Sequence, residues 1–135
     1  MPFLDTNILL RHLLNDHPVL SARCKALIQA IEQGDQTVWT TNLVIAEVVF
    51  VLQNKRTYSV AREQIRDLLL PIISLPGIKM ENKRLYTRAF ELFTTLPIDF
   101  IDCYHAALIQ SRRDQDMFSL DSDFDKVHGI ARRVP

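Results

Sequence analysis

Four carboxylic acids occupy positions in the sequence from which they could share one chemical site. Asp5 directly follows a short apolar stretch in "MPFLDTNILL", and Asp121 follows another in "MFSLDSDFD". Glu47 is the only charge within "LVIAEVVFVL", and Asp102 opens the helical pattern of "IDFIDCYHAALI". Acids packed together without a counter-ion repel one another. Hard divalent cations such as Mg²⁺ or Mn²⁺ prefer oxygen ligands and would relieve that repulsion.

The sequence around Glu47 makes it the most informative of the four acids. Val44, Val48 and Val51 are expected to share its helical face, which would leave the carboxylate few routes to water. Because burying an unpaired carboxylate is costly, this pattern predicts a partner for Glu47. The partner is either a metal ion or a buried arginine.

Asp99 and Asp102 also have a structural interpretation. Asp99 is expected to cap the helix, with Asp102 in the first turn, where the helix dipole favours a negative charge. We interpret Asp99 mainly as a cap, and the pattern leaves open whether Asp102 is structural or functional.

Short strands and helices are predicted to alternate along the chain, and their order positions the acids. Strands are expected at 2–4, 37–41, 77–80, 117–120 and 130–134, and helices at 7–14, 22–33, 43–53, 59–70, 82–95 and 99–112. This alternation indicates a three-layer α/β/α fold with a mainly parallel central sheet of four to five short strands. Ligands of such sheets lie beyond the carboxyl ends of the strands, where Asp5 and Asp121 fall.

Composition limits the class of protein. The chain has 135 residues, 47% of them hydrophobic, so we expect a single domain over 1–135 with a full core. Its 16 basic and 16 acidic residues balance, which argues against a basic nucleic-acid-binding module. A nucleic-acid enzyme remains open, because bound metal ions can supply the positive charge. With only three glycines there is no glycine-rich phosphate loop.

The sequence predicts a cytoplasmic protein. No apolar stretch approaches the roughly 20 residues of a membrane span, and no signal-peptide pattern is visible. Cys24 and Cys103 form neither a CxxC pair nor a disulfide framework, so we expect reduced, packed thiols.

Four segments resemble, in order and spacing, the acidic motifs of PIN-domain ribonucleases. They are "FLDTNILLRHL", "TNLVIAEVVFVL", "IDFIDCYHAAL" and "MFSLDSDFD". The chain length and the opening Asp5-Thr6-Asn7 resemble the VapC-type toxins of bacterial toxin–antitoxin pairs. The resemblance implies a PIN-like domain that acts as a Mg²⁺- or Mn²⁺-dependent endoribonuclease. In-line attack by metal-activated water would cleave the RNA phosphodiester bond.

The resemblance also assigns roles to individual residues. The implied catalytic metal ligands are Asp5, Glu47, Asp102 and Asp121, with Thr6 and Asn7 as supporting polar groups. In the last motif an aromatic residue commonly follows the acid by three positions, and Phe124 fits Asp121. Asp123 stays an alternative to Asp121, and Asp99 is a further candidate for the site.

The implied partners are an RNA substrate, a second copy of the chain and a small antitoxin. The antitoxin would cover the acidic groove and hold the enzyme inactive. Basic side chains near the rim would guide RNA, and the candidates are Arg11, Lys55-Arg56, Arg112-Arg113 and Arg132-Arg133.

Two other readings stay open. An aspartyl-phosphate phosphotransfer domain also uses an acid after its first strand, although its further motifs are not clear in this chain. A catalytically inactive PIN-like binding module would keep the scaffold and pair only with a protein partner.

Overall fold

The computed structural model describes residues 1–135 and contains six α-helices, two 3₁₀ helices and four short strands. The elements follow in this order: α1 (Thr6–Leu14), α2 (Pro18–Glu32), β1 (Val38–Trp39), α3 (Asn42–Gln53), α4 (Arg62–Ile73), β2 (Ile78–Lys79), a 3₁₀ helix (Lys83–Leu85), α5 (Tyr86–Thr95), α6 (Phe100–Gln110), β3 (Asp116–Phe118), a second 3₁₀ helix (Ser122–Lys126) and β4 (Ala131–Arg133). The predicted α/β class with short parallel strands is confirmed. Two compact units divide the chain, Met1–Lys83 and Arg84–Pro135.

Strands β1 and β2 of the first unit are parallel, and their register pairs Val38 with Ile78 and Trp39 with Lys79. The first predicted strand is reduced to a single parallel bridge from Phe3 to Trp39. Side chains alternate between the two faces of a strand, and Val38 and Ile78 are each 2% exposed whereas Trp39 is 44% exposed. One face of these strands therefore forms part of the core.

Helix α4 begins and ends later than the sequence pattern predicts. Ser59, its predicted start, has φ 48°, a left-handed conformation that an α-helix does not contain, and the helix begins at Arg62. The predicted end at residue 70 lies directly before Pro71, yet α4 continues through this proline to Ile73. Ile72 and Ile73 are buried, so packing of this last turn outweighs the backbone hydrogen bond that proline cannot donate.

The second unit is built around an aromatic cluster between α5 and α6. Rings of Phe90, Phe93 and Phe100 lie 5.2 to 6.1 Å apart, and Tyr86 stacks on Phe100 at 6.4 Å. Strands β3 and β4 are parallel, with Asp116 opposite Ala131 and Phe118 opposite Arg133. The second 3₁₀ helix connects them, and its buried Phe124 anchors it to the unit.

Both cysteines are buried and free, as the sequence predicts for packed thiols. None of the helices combines the length and apolar character that a membrane span would require.

Candidate active site

Asp5 lies at the point where the chain leaves the Phe3–Trp39 bridge and enters α1. It occupies the N-cap position of α1 with extended backbone angles (φ −89°, ψ 160°), but its side chain makes no capping hydrogen bond. The exposed carboxylate is therefore not used by the helix. Thr6 behind it is only 4% exposed, while Asn7 is exposed.

Hydrogen bonds of Thr40 hold the chain segments next to Asp5 in place. Its hydroxyl donates to the Leu4 carbonyl at 2.9 Å, and its backbone N–H donates to the Lys79 carbonyl at 2.9 Å. Because Leu4, Thr40 and Lys79 come from three neighbouring parallel segments, these bonds align their carboxyl ends. Asp5 follows Leu4 and thus stands at this end, as predicted.

Glu47 is not embedded in the core, so this expectation from the sequence was wrong. It is exposed, as are Leu43 (81%) and Phe50 (70%), which lie four residues before it and three after it on the same helical face. Val44 and Val48 are buried on another face of α3, rotated away from Glu47. The Glu47 carboxylate therefore reaches water, and burial gives no reason for a buried arginine or a metal beside it.

Asp102 is a partly buried acid in the first turn of α6, and its carboxylate forms no hydrogen bond or ion pair within the protein. Burial raises the pKa of the Asp102 carboxyl, and the negative charges of Asp121, Asp99 and Asp123 raise it further, against an opposing effect of His105. Asp99 occupies the N-cap position as predicted, but its side chain makes no capping hydrogen bond. The second unit thus holds a group of acids around Asp102 that repel one another.

Asp121 and Asp123 differ in how their charges are balanced. Asp121 caps the 3₁₀ helix that follows it, since its Oδ1 accepts a hydrogen bond from the Asp123 N–H at 2.9 Å. Asp123 forms an ion pair with Lys126, with 2.7 Å between Oδ1 and Nζ. Asp121 also raises the pKa of Asp102 more than Asp123 does. Of the two, Asp121 is therefore the acid whose charge acts on Asp102.

The chemistry of these donors fits a hard divalent cation. All are carboxylate oxygens, the ligand type that Mg²⁺ and Mn²⁺ prefer, and a cation would relieve the repulsion around Asp102. No group of three or more Asp, Glu, His or Cys side chains in the structure meets closely enough to hold a metal ion. Mg²⁺ commonly binds through one or two carboxylates and completes its coordination with water and substrate phosphates. Asp102 and Asp121 are suited to that open kind of site.

Several of the arginines predicted to guide RNA are engaged in ion pairs. Arg11 pairs with Asp16 at 2.6 Å, Arg132 with Asp125 at 2.9 Å, and Arg133 with Asp116. Of the other predicted candidates, Lys55, Arg56, Arg112 and Arg113 are exposed and form no ion pair.

A cavity of about 520 Å³ in the first unit was not anticipated from the sequence. It lies where β1 and β2 end and is lined by Trp39, Leu43, Lys79 and Glu81, among others. The sequence feature that could have revealed it is the strand pattern "TVWTT". Because successive side chains of a strand point to opposite faces, a buried Val38 places Trp39 on the exposed face.

The domain thus combines an α/β fold with Asp5 at the carboxyl end of its strands and with a group of acids around Asp102 whose negative charges are not neutralised. Such an arrangement is suited to metal-assisted chemistry. The family model of the PIN domain matches residues 3–130, so the chain belongs to the PIN-domain family. PIN domains are typically nucleases and generally use divalent metal ions. Among curated proteins, none matches the chain significantly.

Proposed function

We propose that this PIN-domain protein is a metal-dependent endoribonuclease that uses Mg²⁺ or Mn²⁺ to cleave RNA phosphodiester bonds. The observation that carries the proposal is the partly buried Asp102 carboxylate, which has no partner and is repelled by Asp121. A site kept in this unfavourable state is suited to binding a cation, and it occurs in a chain of a nuclease family.

The proposed metal ligands are Asp5, Glu47, Asp102 and Asp121, all within the residues that the family model matches. A divalent cation bound by such carboxylates supplies positive charge near the RNA and lowers the pKa of water. Thr6 and Asn7 are proposed to support Asp5.

We assign the fourth acid to Asp121, because Lys126 already neutralises Asp123. The Asp123 N–H holds one Asp121 oxygen, and buried Phe124 anchors the same turn. These contacts orient the Asp121 carboxylate while leaving its second oxygen available for a ligand.

The biological role that we propose is that of a cytoplasmic toxin of a type II toxin–antitoxin pair, acting as a homodimer and inhibited by a small antitoxin protein. The resemblance of the chain length and of Asp5-Thr6-Asn7 to VapC-type toxins supports this role. Several large apolar side chains are more than half exposed, as expected for surfaces that bind a protein partner. They are Leu43, Phe50, Ile101, Phe118 and Leu120.

A cleavage assay tests the proposed activity. Wild-type protein and Asp5→Asn are incubated with a mixture of single-stranded and structured RNA, in Mg²⁺, in Mn²⁺ or in EDTA. We expect cleavage by the wild type only with metal, and at least a roughly 100-fold lower rate for Asp5→Asn, since an amide is a poor replacement for a carboxylate ligand.

Asp35→Asn is the matched control for that assay. Asp35 is exposed and forms no ion pair, so this variant should cleave like the wild type. RNA that is cut equally well in EDTA, or by Asp5→Asn, would rule out the metal-dependent mechanism. Equal cleavage of single-stranded DNA would contradict the proposed preference for RNA.

A further inference from the structure

The cavity at the ends of β1 and β2 has fixed walls. One wall consists of Trp39 and the four residues after it, and the other of Lys79, Met80 and Glu81. The hydrogen bond from the Thr40 N–H to the Lys79 carbonyl joins the two walls, and the Thr41 hydroxyl accepts from the Val44 N–H at the start of α3. Its volume of about 520 Å³ falls within the range of small-ligand sites, roughly 300 to 1,000 Å³.

Trp39 supplies a flat aromatic surface to this cavity. Its side chain is 44% exposed, and Phe3 packs against it edge-on, with 4.7 Å between ring centroids and 62° between ring planes. This contact supports the indole ring on one side without covering it. A half-exposed indole is a suitable surface for stacking an unpaired nucleobase.

Two opposite charges complete the lining. Lys79 and Glu81 both line the cavity, both are exposed, and neither forms an ion pair. Glu81 would repel a bare phosphate, and a purely apolar ligand would use neither charge. The lining therefore suits a planar ligand that carries N–H donors for the carboxylate and an acceptor for the ammonium group.

Guanine has this combination of groups. Its N1–H and N2–H₂ are adjacent donors that can both reach one carboxylate, and its O6 and N7 accept from lysine. Adenine and cytosine place a ring-nitrogen acceptor next to their amino group, and uracil has a single N–H between two carbonyls. In each of these bases an acceptor would face the second oxygen of Glu81.

We propose that this cavity binds a guanine base of the RNA, stacked on Trp39, with Glu81 accepting from its N–H groups and Lys79 donating to its acceptors. The inference rests on the proposed ribonuclease function and adds a base preference to it. Binding at this site needs no metal, so it can be measured apart from cleavage.

Trp39 is the only tryptophan in the chain, so fluorescence excited selectively at tryptophan rather than at the three tyrosines reports on this cavity alone. The full-length protein in EDTA is titrated with GMP, AMP, CMP or UMP. We expect saturable quenching by GMP, with an affinity at least about tenfold higher than for the other three nucleotides. Glu81→Gln should lower the affinity for GMP at least about tenfold, because an amide provides one acceptor instead of two.

Glu63→Gln is the matched control, since Glu63 is an exposed acid of the same unit outside the cavity, and GMP should bind this variant as it binds the wild type. Equal affinity for the four nucleotides, or an unchanged affinity of Glu81→Gln, would overturn the proposal. Trp39 emission that changes with protein concentration but not with any nucleotide would also overturn the proposal. It would indicate that a second copy of the chain covers the cavity.

The binding and cleavage results can fail separately. Metal-dependent cleavage without guanine-dependent quenching would reject the guanine site and leave the ribonuclease function in place. Selective quenching without cleavage in any metal would retain the guanine site and reject the nuclease.

Discussion

At the scale of single residues, the acids of the second unit differ in whether their charges are balanced. Asp123 is paired with Lys126 and Asp125 with Arg132, whereas Asp102 has no partner. Burial and the charge of Asp121 therefore raise the pKa of Asp102, and the opposing effect of His105 is smaller. Residues kept for binding or catalysis often reduce the stability of the fold in this way.

Asp102→Asn is expected to stabilise the metal-free protein while removing its activity. The raised pKa means that ionised Asp102 is less favourable in the folded chain than in the unfolded one. The protonated Asp102 carboxyl stabilises the fold below its ordinary pKa of 3.8. This stabilisation is lost as the pH rises through the higher pKa that the group has in the fold. The variant should therefore gain about 0.5 kcal/mol at pH 7, a small effect because solvent screens the repulsion. Urea unfolding in EDTA measures this free energy.

The control for this measurement is Asp123→Asn, which removes an acid with a partner and should give no gain in stability. A variant Asp102→Asn that is no more stable than the wild type, and that still cleaves RNA, would contradict the role assigned to Asp102.

At the scale of elements, α1, α2 and α4 meet around His12. A cavity of about 290 Å³ is lined by His12 of α1, by Lys25 and Glu32 of α2, and by Ile72 of α4, among others. The His12 Nδ1 atom is buried there without a hydrogen-bond partner, and Lys25 donates to the His12 carbonyl at 3.3 Å. Burial lowers the pKa of His12, the charge of Lys25 lowers it further, and Glu32 opposes the shift.

The packing of these helices should weaken in acid because of His12. Its pKa in the fold lies below 6.5, so protonation favours the unfolded chain. Neutral His12 stabilises the fold above about pH 6.5. This stabilisation is lost as the pH falls through the lower pKa that His12 has in the fold. Urea unfolding at pH 7.5 and pH 5.5 should show a smaller loss of stability for His12→Gln than for the wild type.

His128→Gln is the comparison variant, because His128 is an exposed histidine of the other unit, and it should lose stability in acid as the wild type does. A pH dependence that is the same for His12→Gln and the wild type would show that His12 does not govern this transition.

At the scale of the whole molecule, the chain is electrically neutral, with 16 basic and 16 acidic residues. Electrostatic attraction by net charge therefore cannot bring RNA to the protein. The proposed RNA binding would therefore depend on local groups such as Lys55-Arg56 and on bound cations.

Expression of the protein without an antitoxin is expected to inhibit bacterial growth, and Glu47→Gln should relieve the inhibition. Because Glu47 is exposed, this substitution should preserve the fold, which circular dichroism can verify. Glu63→Gln, an exposed acid outside the motifs, should remain inhibitory. Normal growth with abundant, folded wild-type protein would contradict the toxin role and leave the nuclease activity open.

Much of the architecture could be predicted from local sequence. Alternating strands and helices and the position of Asp5 beyond a strand follow from patterns of a few residues, which short-range forces determine. The helix boundaries were less accurate. Helix α4 is an example. The left-handed conformation of Ser59 moves its start to Arg62, and the packing of Ile72 and Ile73 extends its end beyond Pro71.

The sequence by itself determined the order and chemical type of the acids, the α/β class and the similarity to one family, since these depend on residue identity and spacing. Only the tertiary structure decided which sides of the elements are buried. Between residues 43 and 52, helix α3 is apolar except for Glu47, so its pattern could not identify the core-facing side, and packing placed Leu43, Glu47 and Phe50 in solvent. Tertiary contacts likewise paired Asp125 with Arg132 of β4 and left Asp102 unpaired, because ion pairs between elements depend on distances in space.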